Sequence, residues 1–456
     1  MPADQIPTSG VLPDFTLRAH PAPVTAAAFA SGVTPPVLAS ADESGGVFVW
    51  DVVARRPVSM FRAHSAAIVK VEFVTIASKN EHPQTYLLTH GRDHCVHVYN
   101  AGPALARIVM ARRIGARSLG ANGPPSAVTL DREIAELDPL EKVYTVPVNA
   151  LNYCGFSVAI IQQDSESETT ATVVLAVPGT TASENVDVYT LRVPGFELAR
   201  PAAAIPGPEV VSKIPKFEQD ENPITEGPRQ NGAGIVMSLC LVDKPSQIYL
   251  VAGYESGHTA TFIINNVGGS SPDSQQQLPW KLLECKQLHT QPVLALALRP
   301  QSLDQKHLPA QVYSTAADAR IALTLVPPSQ NLFPFNVVRL SAPGTASAVI
   351  RSDGKLLATA GWDGLVRVFE LLLRQDDKEE LLVLQNNTTK QKLLKPLASF
   401  PGGRQNGGIT AVAFGPIETT MEPQSSLSLV QRLSKSNSHY LAVAGKDGRI
   451  GIYSLY

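Results

Sequence analysis

His90, His94 and His97 crowd together in THGRDHCVHVY, and neutral imidazoles are ready zinc ligands. Here they straddle a hairpin turn between two apolar runs and point in different directions, so no metal is expected of them. Gly445-Lys446-Asp447 lacks both the leading glycine spacing and the Ser/Thr of a phosphate-binding loop. Gly253-Tyr254-Glu255-Ser256-Gly257 has the wrong spacing for a nucleophile elbow. Gly402-Gly403 and Gly407-Gly408 precede a strand rather than a helix, which argues against phosphate binding. Asn386-Asn387-Thr388-Thr389 contains glycosylation sequons, which carry weight only behind a signal peptide. Cys95, Cys154, Cys240 and Cys285 are widely spread in or beside apolar runs and read as buried, reduced thiols. No catalytic, cofactor, metal or small-molecule site is expected.

The remaining acids are better explained as turn residues. In ATAGWDGLVRVF, an apolar run (Leu356 to Ala360) meets Gly361-Trp362-Asp363-Gly364 and then a second run ending at Phe369. This is a β-hairpin with an Asp-Gly turn. Six more hairpins align when a polar turn residue is paired with the strand-ending residue six positions on. They are Ser44 with Trp50, Asp93 with Tyr99, Ser183 with Tyr189, Ser256 with Phe262, Asp318 with Thr324, and Asp447 with Tyr453. Upstream of each lies another β segment: Val24–Phe29, Ile68–Phe73, Ala150–Phe156, Ile235–Leu241, Val293–Leu298, Ala346–Ile350 and Ile409–Phe414. His20, His64 and His289 precede three of these by a few residues. A histidine there can hydrogen-bond the turn aspartate, which tightens the hairpin, while the aromatic covers the pair. Asp93, Asp318, Asp363 and Asp447 are therefore read as turn residues, not catalytic acids.

The unit of His, two strands, Asp turn and a strand ending in an aromatic is the WD-repeat blade pattern. The expected fold is all-β: a seven-bladed WD-repeat β-propeller closed by an N-terminal strand, with long inter-blade insertions. The blades fall at about 20–51, 64–100, 149–191, 234–265, 289–326, 337–370 and 397–456, within one domain over 1–456. Residues 14–18 alternate like a strand and are expected to close the last blade. The excess length falls in 101–148, 194–232, 265–285, 371–395 and 416–438, rich in Pro, Gly, Ser, Gln and charge and read as surface loops, partly disordered. Within the first, basic and apolar Leu105–Arg117 is expected to form a solvated outer strand and loop, with a partner-binding segment as the alternative. The 456 residues are 44% hydrophobic, with 32 Gly, 36 Pro and a net charge of −2. That balance suits a many-turned β protein and argues against nucleic acid held by a general field. No apolar run is long enough to span a membrane, and MPADQIPTSGVLPDF does not read as a secretory signal.

Longer words in the chain carry a closer likeness. PDFTLRAHPAPVTAAAF, SGGVFVWD, RPVSMFRAHSAAIVKVEF, LLTHGRDHCVHVY, VPVNALNYCGFSVAI, DGKLLATAGWDGLVRVF and AVAGKDGRIGIY together resemble the fungal ASTRA-associated WD-repeat protein family, relatives of the animal G-protein-beta-subunit-like proteins. The words at Asn149–Phe156 and Gly91–Tyr99 are the most specific. The resemblance implies a non-enzymatic scaffold subunit of the ASTRA complex, linked to chromatin remodelling and to maturation of phosphatidylinositol-3-kinase-related kinases. Its expected partners are ASTRA protein subunits and kinase co-chaperones, without sequence-specific nucleic acid binding. A nuclear location is expected, with the cytoplasm as a second one. The family has no catalytic motif to transfer, and no partner-binding residue is assigned. The alternatives are a substrate-receptor propeller of a ubiquitin ligase, for which no docking helix or box is visible, and an enzyme on a propeller, which needs clustered catalytic side chains.

Overall fold

The structure is a computed structural model that describes residues 11–77, 83–115, 137–149, 153–164, 169–209, 232–245, 247–265, 279–328, 335–372, 393–402, 408–416 and 439–455. The leading strand is β1 (Phe15–Arg18). Blade one comprises β2 (Val24–Phe29), β3 (Val37–Asp42), β4 (Gly46–Asp51) and β5 (Arg56–Arg62). Blade two comprises β6 (Ile68–Ile76), β7 (Gln84–Gly91), β8 (Cys95–Asn100) and, after helix α1 (Gly102–Gly115), β9 (Glu141–Pro147). Blade three is β10 (Ser157–Asp164), β11 (Thr169–Pro178), β12 (Val186–Val193) and β13 (Glu197–Ile205). Blade four is β14 (Val236–Lys244), β15 (Gln247–Tyr254), β16 (His258–Asn265) and β17 (Trp280–Gln287). Blade five is β18 (Val293–Leu298), β19 (Ala310–Ala316), β20 (Arg320–Val326) and β21 (Phe335–Arg339). Blade six is β22 (Thr345–Ile350), β23 (Leu356–Gly361), β24 (Leu365–Leu371) and β25 (Leu394–Pro401). Blade seven is β26 (Ile409–Phe414), β27 (His439–Gly445) and β28 (Arg449–Leu455), with β1 as its fourth strand.

Seven four-stranded antiparallel sheets of this kind make a seven-bladed β-propeller, the class the sequence predicts. The second strand of each blade is covered on both faces, so it reads as a continuous run of small and apolar residues. Val37–Asp42, Ala310–Ala316 and Leu356–Gly361 are buried at every position. The first strand carries a recurring bulge near its start, between Val24 and Ala26, Ile68 and Lys70, Val236 and Ser238, Val293 and Ala295, and Ile409 and Ala411. A bulge there sharpens the local twist. The outermost strands include Pro57, Pro147, Pro201 and Pro396, tolerated because an edge strand has N–H groups that need no ladder partner.

The chain divides into two compact units. One is built mainly on Val148–Ala348, the other on Ile6–Pro147, Val349–Glu370 and Pro396–Tyr456. In the first, apolar layers join blade three to four (Val174, Val188, Leu250, Tyr254, Phe262) and four to five (Val242, Tyr249, Val312). In the second, they join seven to one (Phe48, Trp50, Ala442, Ile450), one to two (Val49, Ile68, Leu87, Tyr99) and six to seven (Val368, Phe400, Val443, Tyr453). No described helix is long and apolar enough to cross a membrane.

Several expectations need correction. Leu105–Arg117 is not an outer strand: Gly102–Gly115 is helical, and the outer strand is β9. Ala104, Leu105 and Ile108 recur at helical spacing and bury into the layer between blades one and two. The Asn100 side chain accepts from Gly102 N (3.1 Å), and Pro103 occupies the first turn, where its missing N–H costs nothing. The first strand of blade three is β10, not 150–156, because the ladder with β11 starts at Ser157 opposite Ala176. Segment 194–232 is not all loop, since β13 lies within it; β17 and β25 likewise begin inside 265–285 and 371–395. Within 416–438, all but Pro416 lie outside the described residues.

Connection lengths follow a pattern. In an antiparallel blade, the turn between second and third strands and the entry to the first strand share one end. The long connections 101–140 (through α1), 266–279, 372–393 and 415–438 join third to fourth or first to second strands, so they leave from the other end. Only 206–235 is an entry segment.

The expected pairing of 14–18 is present. β1 lies antiparallel to β28, with Phe15 opposite Ile452 and Arg18 opposite Arg449. Asp14 extends the junction: its N–H donates to Ile452 O (2.8 Å), and its carboxylate accepts from Ser454 N (2.6 Å). Leu17 is 3% exposed in the layer between blades seven and one. Deleting residues 1–19 should lower the melting temperature of the full chain. Leu17→Ala should cost about 2–4 kcal/mol by denaturant titration. An unchanged melt after the deletion would show that β1 is dispensable.

Candidate interaction site at the blade turns

Three blades carry the anticipated tie. In blade one, His20 Nδ1 donates to Asp42 (2.8 Å), His20 Nε2 accepts from Ser40 Oγ (2.6 Å), and Ser40 accepts from Trp50 Nε1 (2.8 Å). In blade two, His64 Nδ1 lies 2.8 Å from Asp93, and Nε2 lies 2.7 Å from Thr89 Oγ1. In blade five, His289 bridges Asp318 (3.1 Å) and Ser314 (2.9 Å). Histidine tautomers are assigned from these networks. The blade-one carboxylate is Asp42, two residues before the expected turn position. Ser44 is instead a ligand of Asp42, donating through N (2.9 Å) and Oγ (2.7 Å), and Gly46 N adds a third bond (3.0 Å).

Other blades rebuild the tie. Asp187, fully buried on the third strand of blade three, accepts from Arg200 (2.5 Å), Thr180 N (2.8 Å) and Ala204 N (2.7 Å). In blade six, Asp363 takes both arms of Arg367, at 2.5 and 3.2 Å, and accepts from Leu365 N. Asp187 and Arg367 each stand four residues past the aligned turn position, as does His97. Periodicity did not single out this position, although a charged residue inside an otherwise apolar third strand is the signal that would have found it.

His64, Asp93 and His97 each offer a ligand atom within 4.8 Å of the others. Their bonding is already committed. Both His64 nitrogens are engaged, His97 Nδ1 is bonded to Thr145 Oγ1 (2.9 Å), and the two rings stack at 4.5 Å and 15°. His90 is buried and His94 exposed, so the three neighbouring histidines do not converge. Burial holds the imidazoles of His64, His97 and His90 below their usual range, to about 4 for His97 and about 3 for His90. Burial raises the Asp93 and Asp42 carboxyls, but the hydrogen bonds from Ser65 and His64, and from His20, Ser44 and Gly46, outweigh it and leave both acids below normal. A neutral imidazole donating to a carboxylate is thus the resting state of the His64–Asp93 pair.

Beyond the acid, the turns of blades one and four close against the entry of the next blade. Gly45, at φ +88°, stands where a Cβ would meet His64 O at 2.1 Å, and Gly257, at φ +81°, meets His289 O at the same distance. Only glycine fits both the left-handed backbone and the close approach. The residue before the aligned turn position donates its N–H to the carbonyl at the strand entry: Glu43 to Pro23, Arg92 to Ala67, Glu255 to Ile235, Ala317 to Pro292 and Lys446 to Gly408, at 2.9–3.2 Å. Its side chain is left at the tip. The tips of Glu43, Trp362 and Lys446 are exposed, and those of Arg92, Glu255 and Ala317 half-buried. With the turn acids committed to hydrogen bonds, this arrangement offers rigidly held side chains rather than a reacting centre.

Fold and site together define a WD-repeat type propeller whose buried polar groups hold its turns. The family model for ASTRA-associated protein 1 matches residues 13–453, and the chain belongs to that family. ASTRA-associated protein 1 of Penicillium rubens is 27% identical, covering 98% of each chain, and that of Schizosaccharomyces pombe is 26% identical over 97% and 99%. The Clavispora lusitaniae protein is 33% identical over 69% of this chain and 66% of its own. Among solved structures, Chaetomium thermophilum Raptor aligns over 98% of this chain and 29% of its own, with a TM-score of 0.53 at 14% identity, a likeness of fold.

Acid should weaken the turns in two stages. Histidines held neutral in the fold favour it fully above their ordinary pKa of 6.5, and this contribution drains as pH falls towards about 4. The depressed Asp42 and Asp93 lose their contribution only at lower pH, below the ordinary 3.8. Stability from urea titration should therefore fall between pH 6.5 and 4, and His97→Phe should make that limb shallower. A flat profile would contradict the assignment. Separately, Gly45→Ala should cost on the order of 2–3 kcal/mol or more, read as a lower urea midpoint at pH 7.

Proposed function

We propose that this chain is a non-catalytic scaffold subunit of the ASTRA assembly, acting in the maturation of phosphatidylinositol-3-kinase-related kinases with co-chaperones and in chromatin remodelling. The observation that carries the reading is family membership across nearly the whole chain, joined to a propeller whose described turn acids and histidines are spent on internal hydrogen bonds. Such a frame suits simultaneous protein contacts. Its partners on this reading are ASTRA protein subunits and kinase co-chaperones, its location is the nucleus, and it has no substrate to turn over.

Affinity purification of the tagged full-length chain from its own cells, with mass spectrometry, tests this. Recovery of ASTRA subunits with the large kinases or their co-chaperones is the expected outcome. Recovery of a ubiquitin-ligase core instead, or of no such subunit, would overturn it. Imaging of the tagged chain should place most of it in the nucleus.

A further inference from the structure

Trp362 stands apart from the other two tryptophans. Trp50 is 2% exposed and Trp280 half-buried, whereas Trp362 is 56% exposed at the tip of the blade-six turn. Its indole does nothing for the blade core, because the position that covers the turn acid is filled by Phe369, which is fully buried. The turn beneath it is firmly held. Asp363 is clamped by Arg367 and Leu365 N, Gly364 adopts φ +77°, and Gly364 O accepts from Gly402 N (3.0 Å). A large apolar side chain on an ordered turn costs little entropy to bind against, which is the character of an interface anchor.

The neighbouring tip supplies the charge. Gly408 lies between the turns of blades six and seven, both in the same compact unit. A Cβ on it would stand 3.6 Å from Lys446 Cε and 3.8 Å from Trp362 O. Lys446 is exposed, and no carboxylate pairs with it among the described residues. The two nearby turn acids are already balanced, Asp363 by Arg367 and Asp447 by the Arg449 N–H and guanidinium. The two adjacent tips therefore present an exposed indole on one turn and, on the next, an ammonium that no carboxylate among the described residues pairs with. The ammonium disfavours a partner cation over the indole, which otherwise attracts one. It favours a carboxylate next to an apolar group. At the corresponding tip of blade one stands Glu43, so the positive spot is bounded on that side.

We propose that Trp362 and Lys446 form a docking site for an acidic, extended peptide segment of a partner protein, with an apolar or aromatic side chain on the indole and an Asp or Glu on the ammonium. The site rests on the scaffold reading only in that the chain works by binding protein. The long connections of blades six and seven, 372–393 and 415–438, leave from the opposite end of the strands from these tips.

A random peptide library displayed on phage and selected on the purified full-length chain tests the site directly. Enriched clones should share an aromatic or leucine flanked by Asp or Glu. Their affinity should fall at least about tenfold, roughly 1.4 kcal/mol, for both Trp362→Ala and Lys446→Glu. Trp362→Phe should retain most of it, and Lys281→Glu, on an exposed site in the other unit, should leave it unchanged. Circular dichroism melts establish that each variant is folded. A selection that enriches nothing, a basic consensus, or clones indifferent to Trp362→Ala and Lys446→Glu would overturn the proposal. If that happens while ASTRA subunits still co-purify, this surface fails and the scaffold reading stands. If clones behave as expected but no ASTRA subunit co-purifies, the reverse holds.

Discussion

A carboxylate shut inside a hairpin turn must be fully satisfied, and much of this chain's design follows from that requirement. Stripped of water, an acid is costly unless hydrogen-bond donors surround it. Blade one meets the demand with a histidine, a serine and two backbone amides, blade two with a histidine and the Ser65 amide, and blade three with an arginine and two amides. In blade six the turn acid, Asp363, is exposed, and it pairs with an arginine from its own third strand. Because the histidine comes from the strand entry, the tie in blades one, two and five fixes how the first strand meets the hairpin beside it. The same demand explains why these groups are poor candidates for chemistry: their lone pairs and protons are already spoken for.

The second constraint is steric. The turn glycines let one backbone touch another, with no room for a methyl group at Gly45 or Gly257. Contact between main chains is insensitive to side-chain identity. Turn tips can therefore differ widely, from Glu43 to Trp362 to Lys446, while the backbone bond that holds them recurs. Geometry and recognition are thereby separated within a few residues.

Much of the fold was legible because both devices leave marks at fixed offsets. His20, His64 and His289 ahead of apolar strands, and aromatics six residues past a polar turn position, were enough to place seven hairpins and the pairing of residues 14–18 with the last blade. What was misread shares a cause. Asp42 was passed over because the offset pointed to Ser44, and only the hydrogen bonds reveal that the acid two residues earlier does the binding. The helix at Gly102–Gly115 was hidden because Leu105 and Ile108 bury on neighbouring sheets, a tertiary choice that overrides a short ambiguous run. Asp187 and Arg367 stand four residues past the aligned turn position, so the turn offset skips them, although each is a charged residue inside an otherwise apolar third strand. The exposed tryptophan was visible in the sequence but was counted as part of a turn, since exposure is decided by what packs around it.

The distribution of connection lengths has a consequence for how this chain can change. Four of the five long excursions depart from the end of the strands away from the turn tips. Apart from α1, whose apolar residues pack between blades one and two, residues can be gained or lost there without moving a tie, a turn glycine or a tip. One end of each blade thus behaves as a fixed coordinate system and the other as free text, so relatives can differ greatly in length while their turn ends still superimpose.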